Sequence, residues 1–353
     1  MPKGKQYNVN MRLVAKQANI SIATVSRYIN NPEKLSENMR EKVGKAMNDL
    51  GYIPNELAKA VLSGVSKVIG VVVPSVTNPF FAELATSIEQ KARLEGDAIL
   101  LMNTHDDAEI EKASVSTLLS YRVAAIIVCR SQNESIYENV DVPVICFENP
   151  VSNCQAIVRV DNEQGGFIAF NHLVDIGCKR ILHIKGPGTF EATEERYRGF
   201  IRGFEALDEK ERPETDIYQM SRDFVADYSD TELDSIPNLA SYDGVFAFND
   251  IIAASLLRVL NRRGIDVPEQ MRVIGFDGSY YSQMTAPPLS TVSQHVDQIS
   301  TYCIEAVSRF RNEIKEDKVS QRLTFTVPTE LIIRDSTKIG DDPVKGLKYI
   351  GGR

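Results

Sequence analysis

The chain has 353 residues, 43% of them hydrophobic, with 40 Lys and Arg against 48 Asp and Glu and a formal net charge of −8. This is enough apolar material for a sizeable core spread over two or three domains. No apolar run approaches the roughly 20 residues of a membrane helix, and the start Met-Pro-Lys-Gly-Lys lacks the apolar centre of a secretory signal, so the expected location is the cytoplasm. Five cysteines, Cys129, Cys146, Cys154, Cys178 and Cys303, are odd in number, widely spaced and form no CxxC pair. They are expected to stay reduced, with neither a disulfide framework nor a metal site.

From Met11 to Asn31 the chain reads MRLVAKQANISIATVSRYINN. Met11, Val14, Ala15 and Ala18, then Val25 and Ile29, repeat at helical spacing on either side of Asn19-Ile20-Ser21, which describes a helix-turn-helix. Asn19 tolerates the left-handed backbone of a tight turn, and Ser21 can cap the second helix. That helix presents Ile22, Ala23, Thr24 and Arg27 near its start, the end that meets base edges in a DNA major groove. Ser36 opens a third helix with Met39, Val43, Met47 and Leu50 on one face, closed by Gly51. Next, YIPNELAKAVLSG predicts a two-turn apolar helix over 56–62, capped by Asn55. A helix this short is marginal alone in water and needs a partner chain or a DNA groove. Residues 1–67 hold eleven Lys and Arg against five Asp and Glu, whereas the remainder holds 29 against 43. A basic end on an acidic body binds phosphate locally while the body stays soluble.

From Val68 the pattern becomes buried strands alternating with amphipathic helices. Apolar runs lie at 68–73, 98–102, 124–129, 142–147, 180–184, 243–248 and 271–276, with helical stretches at 80–94, 108–119, 165–176, 194–207 and 251–263. Alternation of this kind implies an α/β fold with parallel sheets, in two lobes, and ligands beyond the carboxyl ends of the strands. Residues 338–353 are polar and Gly-rich and read as a flexible tail.

Taken together, VAKQANISIATVSRYIN, EKVGKAMNDLGYIPNELA, IGVVVPSVTNPFFAEL, VDNEQGGFIAFNHLVDIGCKRI, FNDIIAASLL and the pair VIGFDGS with PPLSTVSQ give the chain a resemblance to the lactose repressor (LacI) family of bacterial transcription regulators, over about residues 11–337. The resemblance is nearest in character to sucrose- and ribose-operon repressors. It implies a helix-turn-helix domain over 1–54, a hinge helix or linker over 55–66, and a two-lobed periplasmic-binding-protein-like core over 67–337. Lobe 1 would be 67–160 plus 291–322, and lobe 2 would be 161–290 plus 323–337. It also implies a homodimer on a palindromic operator, controlled allosterically by a small sugar or sugar phosphate. No leucine-heptad helix follows Ser336, so no tetramer is expected.

Carried over residue by residue, the family pattern makes Ile22 and Ala23 the variable base-reading positions and Arg27 the third. Arg27 can pair with a guanine or clamp a phosphate. Thr24, Ser26, Ser36 and Asn55 would cap helices or touch phosphate, and Ser21, the cap of the second helix, is counted with the DNA-binding residues. Val61 stands where the family's minor-groove leucine usually stands and is followed by Leu62, so either could be the wedge; Leu13 replaces the usual Asp. For the effector, the resemblance places Ser75, Asn78, Phe80, Phe81, Glu148, Arg196, Phe246, Asn249 and Asp277 at the cleft. Polar groups beside aromatic rings suit a polyhydroxylated ring. Phe80, Phe81 and Phe246 equally fit plain core positions, and Asp277 a turn cap. Glu148 is one methylene longer than the usual Asp, and Phe190 replaces a polar contact of the purine-responsive relative, which favours a sugar. A purine- or phosphoprotein-responsive regulator is the alternative within the family. A sugar-binding protein or an enzyme is the alternative outside it. No GxxxxGK[ST], GxSxG or HExxH occurs, GPGTFE lacks the third glycine of a dinucleotide loop, and the four histidines are scattered, so neither catalysis nor a cofactor is expected.

Overall fold

The computed structural model describes residues 9–54, 66–188, 190–221, 226–315 and 321–338. The chain forms two compact units divided between Ser66 and Lys67. The expected hinge helix, with Asn55, Val61 and Leu62, and the tail from 339 onward lie outside the described residues.

The first unit contains α1 (Met11–Ala18), α2 (Ile22–Asn30), a 3-10 turn at Pro32–Lys34 and α3 (Glu37–Leu50). Asn10 starts α1 by accepting from the amides of Arg12 and Leu13, and Asn19 ends it at φ 53°. Ser21 accepts from the Thr24 amide at 3.1 Å and so starts α2. Gly51, at φ 61°, ends α3, a left-handed position that glycine occupies without steric cost. Val14, Ala15, Val25, Val43 and Ala46 are buried together, with Met11, Ile20, Ile29 and Met47 packed round them. Small Ala15 and Ala46 at the centre let the helices approach closely. Met39, expected on the buried face, is instead 37% exposed, and Ser36 makes no side-chain cap bond.

In the second unit, twelve strands among the described residues build two six-stranded sheets. The first sheet contains β1 (Val68–Val73), β2 (Ala98–Asn103), β3 (Ala125–Val128), β4 (Val144–Phe147), β5 (Ala156–Val160) and β11 (Leu323–Val327), in the order β11-β5-β4-β3-β1-β2. The second contains β6 (Arg180–Lys185), β7 (Glu214–Gln219), β8 (Gly244–Ala247), β9 (Arg272–Asp277), β10 (Ser290–Ser293) and β12 (Glu330–Ile332), in the order β12-β10-β9-β8-β6-β7. All pairings are parallel except β10 with β12. Central strands such as VIGVVV are apolar at nearly every position because helices cover both faces.

The first lobe carries α4 (Pro79–Leu94), α5 (Ala108–Ser120) and α10 (Val296–Lys315). The second carries α6 (Asn162–Asp175), α7 (Glu191–Glu205), α8 (Ala226–Asp234) and α9 (Asp250–Arg262). The chain crosses between sheets after β5, after β10 and after β11. Two expected lobe boundaries are therefore corrected. Leu323–Val327 pairs with Ala156–Val160 in the first sheet rather than joining the second lobe. Thr291–Ser293 pairs with Gly275–Asp277 in the second sheet rather than the first. In both cases the backbone ladder of the neighbouring strand fixes the assignment.

Candidate functional site

Two places in the chain bring the candidate residues together. In the first unit, Ser21, Ile22, Ala23 and Arg27 are exposed, and Thr24 is partly so. Ile22 is 45% exposed although large and apolar. Its neighbours Val25 and Ile29 turn to the core, so α2 offers a face of Ile22, Ala23 and Arg27 to the outside. The turn is held by the Ser21 hydroxyl, which also lies 2.9 Å from the Thr24 hydroxyl. Among these side chains only Arg27 carries a charge.

In the second unit a cavity of about 90 Å³ lies where the carboxyl ends of β1, β3, β4, β6, β8, β9 and β10 and the loops that follow them converge. At about 10–15 Å³ per water, that is space for several waters or one small polar molecule. From the first lobe it is lined by Asn78, Phe80 and Phe81 at the start of α4, by Cys129 and Arg130 after β3, and by Phe147, Glu148 and Asn149 at the end of β4. From the second come Phe190 just before α7, Ala192 and Arg196 within it, Phe248 and Asn249 after β8, Asp277 at the end of β9, and Gln294 after β10.

Arg196 is the hub. It is 4% exposed, donating from Nε to Asn162 Oδ1 at 3.0 Å and from Nη1 to the Phe248 carbonyl at 2.7 Å. Its guanidinium stacks 3.6 Å from the centre of the Phe276 ring and 4.6 Å from that of Phe248. Asp277 Oδ1 lies 3.9 Å from Nη1 and accepts from Gln294 Nε2 at 2.6 Å. Burial pushes the Asp277 carboxyl well above the carboxylate range, against the pull of Arg196.

Glu148 adopts φ 64°, a left-handed conformation that folds its side chain back toward the lobe crossing. There it accepts from the Val160 amide at 3.2 Å and, on both oxygens, from Asn162 Nδ2 at 3.2 and 3.1 Å. Desolvation first, and Glu195 second, push its carboxyl up to about 7. Asn249 caps α9, accepting from the Ile252 amide at 3.0 Å, and Asn78 caps α4, accepting from the Phe80 amide at 3.0 Å. Phe80 and Phe81 meet edge to face with centroids 5.3 Å apart.

Two expected residues do not reach the cavity lining. Phe246 is fully buried and stacks on His183, centroids 4.7 Å apart, inside the second lobe's core; Phe248, two residues on, forms the wall instead. Ser75 turns to Thr77, with the hydroxyls 2.8 Å apart. Sequence reasoning missed Arg130, which stacks 3.5 Å over the ring of Phe190 from the opposite lobe and lies 3.2 Å from Asp106. Gln294 was missed too. The signal available for both was position: Arg130 lies two residues, and Gln294 one, past the carboxyl end of a strand. Among the described residues, no group of three or more His, Cys, Asp or Glu side chains could hold a metal, and no helix is long and apolar enough to cross a membrane. All five cysteines are free and buried.

A helix-turn-helix unit joined to a two-lobed core with a cavity between its lobes defines a ligand-responsive DNA-binding regulator. The sequence pattern of "Bacterial regulatory proteins, lacI family" matches residues 10–55, and that of "Periplasmic binding protein-like domain" matches residues 170–337. The ribose operon repressor of Halalkalibacterium halodurans is 32% identical over 94% of this chain and 98% of its own length. A periplasmic binding protein/LacI transcriptional regulator from Alkaliphilus metalliredigens, solved with D-xylulofuranose, is 39% identical at a TM-score of 0.71, covering 78% of this chain and 100% of that one. The lac repressor dimer, solved with operator and an anti-inducer, shares the fold at a TM-score of 0.78 and 23% identity, over 93% of this chain and 99% of that one. The chain belongs to the lacI family of bacterial regulatory proteins.

Proposed function

We propose that the chain is a cytoplasmic, dimeric repressor of a carbohydrate-utilisation operon, acting by binding rather than catalysis, with a small sugar in the cavity as its effector. The observation that carries the sugar is the lining itself. Asn249, Asp277 and Arg196 offer donors and acceptors within one wall, facing Phe80 and Phe81 across the cavity. A sugar ring presents hydroxyls that both donate and accept, together with an apolar C–H face that packs on aromatic rings. The volume suits a monosaccharide, and the relative solved with D-xylulofuranose supports a pentose-sized one.

On the DNA side, Ile22 and Ala23 read thymine methyls and base shape, Arg27 reads a guanine, and Ser21 and Thr24 hold the helix against phosphate. Asn55 caps the hinge helix, and Val61 or Leu62 wedges into the minor groove between paired hinges. The proposed domains are 1–54 for reading, 55–66 for the hinge and 67–337 for effector and dimer contacts.

Thermal-shift screening of the full chain against pentoses, hexoses, their phosphates and purines tests the effector, because a ligand of the folded state raises apparent stability by mass action. Stabilisation by pentoses supports the reading; stabilisation by purines alone overturns it.

A further inference from the structure

Glu148 follows β4 in the first lobe and Glu195 lies on α7 in the second, yet both carboxylates contact one amide nitrogen. Asn162 Nδ2 donates to Glu148 at 3.1 and 3.2 Å and to Glu195 Oε2 at 3.1 Å. Two carboxylates on a single donor are like charges at close range, and an amide carries no charge to offset them. The cations nearby are divided among other acids. Arg159 of β5 lies 3.2 Å from Glu191 and 3.8 Å from Glu195. Arg198 of α7 stands 3.8 Å from Glu163 of α6 and 3.9 Å from Glu195. Arg196 serves Asp277 of β9, Asn162 and the Phe248 carbonyl. Among the described residues Arg196 is the cation that pulls on both carboxyls, and its hydrogen bonds go to Asn162 and the Phe248 carbonyl instead.

We propose that Glu148 and Glu195 share one proton across the cleft, so that the lobe arrangement of this structure, and occupation of the cavity with it, is linked to proton uptake, Glu195 being a positioning residue that acts through Asn162. This rests on reading the cavity as the effector site. Because the two side chains come from different lobes, parting the lobes separates them and returns each to water. Burial raises both carboxyls, and the charge of Glu195 adds to that for Glu148, which is pushed up to about 7 against the pull of Arg196. A group raised in the closed arrangement favours closure at low pH. The advantage fades as pH rises from the ordinary carboxylate range through about 7. The proton belongs to the pair rather than to either residue.

The test uses the full chain in two arms. Without ligand, thermal midpoints of wild type and Glu195→Gln are compared at pH 6 and pH 8. The variant should gain on wild type at pH 8 relative to pH 6, because the neutral amide relieves a repulsion that a proton has already relieved at pH 6. An equal difference at both pH values overturns the shared proton. With D-ribose as probe, calorimetry in two buffers of different ionisation heat should show protons taken up on binding at pH 6, at most about one per sugar and in proportion to the chains whose lobes are parted before binding, and affinity weaker at pH 8 by at most about tenfold. Glu195→Gln should bind ribose with a shallower pH profile. A flat wild-type profile without proton exchange overturns the coupling, as does an unchanged slope in Glu195→Gln. Absence of ribose binding at either pH, with the ligand-free difference intact, removes the sugar reading and leaves the shared proton standing.

Discussion

Ile22, Ala23 and Arg27 share the outer face of one short helix, and their chemistry differs enough to separate their roles. An alkyl group and a methyl can press only on thymine methyls and groove shape, whereas a guanidinium can donate twice to a guanine edge, worth about 1–3 kcal/mol of discrimination. Arg27→Ala is therefore expected to relax base preference at one position per half-site in a selection from random duplexes. A uniform loss of affinity with unchanged preference, and a salt slope shallower by about one, would mean a phosphate contact instead. At the cavity the same residue-level logic separates Phe246 from Phe248. Both belong to the run around β8, and the sequence points to Phe246 as the wall. Phe246 is claimed by His183, whose ring burial holds neutral, lowered to about 4, and whose Nδ1 lies 3.0 Å from the Phe246 carbonyl. Of the two, Phe248 is the ring that stacks on Arg196. Nothing in the spacing distinguishes them, because the deciding contact comes from a strand 63 residues away.

The crossing of α6 and α7 brings Asn162, Glu195 and Arg196 together, and it depends on two glycines. A Cβ at Gly166 would strike the Arg196 carbonyl, and one at Gly199 would strike the Glu163 carbonyl and the Phe167 amide. Since both obstacles are backbone, neither can swing aside, and the helices must part to admit a methyl. Gly199→Ala is expected to cost about 1–3 kcal/mol in urea unfolding by overpacking, despite the better helix propensity of alanine. It should also weaken ribose binding, because Arg196 would shift with α7; a stability equal to wild type would show that the crossing has slack. Elements of this kind were legible in the sequence where the apolar pattern was continuous, as in VIGVVV and in the caps Asn19, Ser21 and Gly51. Others were hidden for stated reasons. Glu214–Gln219 is an edge strand that exposes Glu214, Asp216 and Gln219 together with Ile217, and Ser290–Ser293 buries hydroxyls that bond to Arg334, Thr337 and Asp250. Leu323–Val327 alternates Leu, Phe and Val with Thr in a stretch too short to declare which sheet it joins. Register with a distant strand settled it, and a single sequence carries no record of that.

At the scale of the whole molecule, the division between Ser66 and Lys67 separates the face proposed to read bases from the cavity proposed to take ligand. A regulator built this way has two sites whose free energies are coupled, and linkage requires the coupling to be reciprocal. If sugar changes the affinity for a selected DNA duplex by some factor, the duplex must change the affinity for sugar by the same factor, about 5- to 150-fold for a coupling of 1–3 kcal/mol. A chain beginning at Lys67 keeps both sheets, all three crossings between them and every lining residue of the cavity. It is therefore expected to bind D-ribose with the affinity of the full chain free of DNA, to ignore the duplex altogether, and to show no shift in sugar affinity when duplex is added. The full chain should show that shift, and titrations run in both directions should return equal factors. Loss of ribose binding in the shortened chain would place part of the effector site before Lys67. Unequal factors would mean that one of the ligands binds at more than one place.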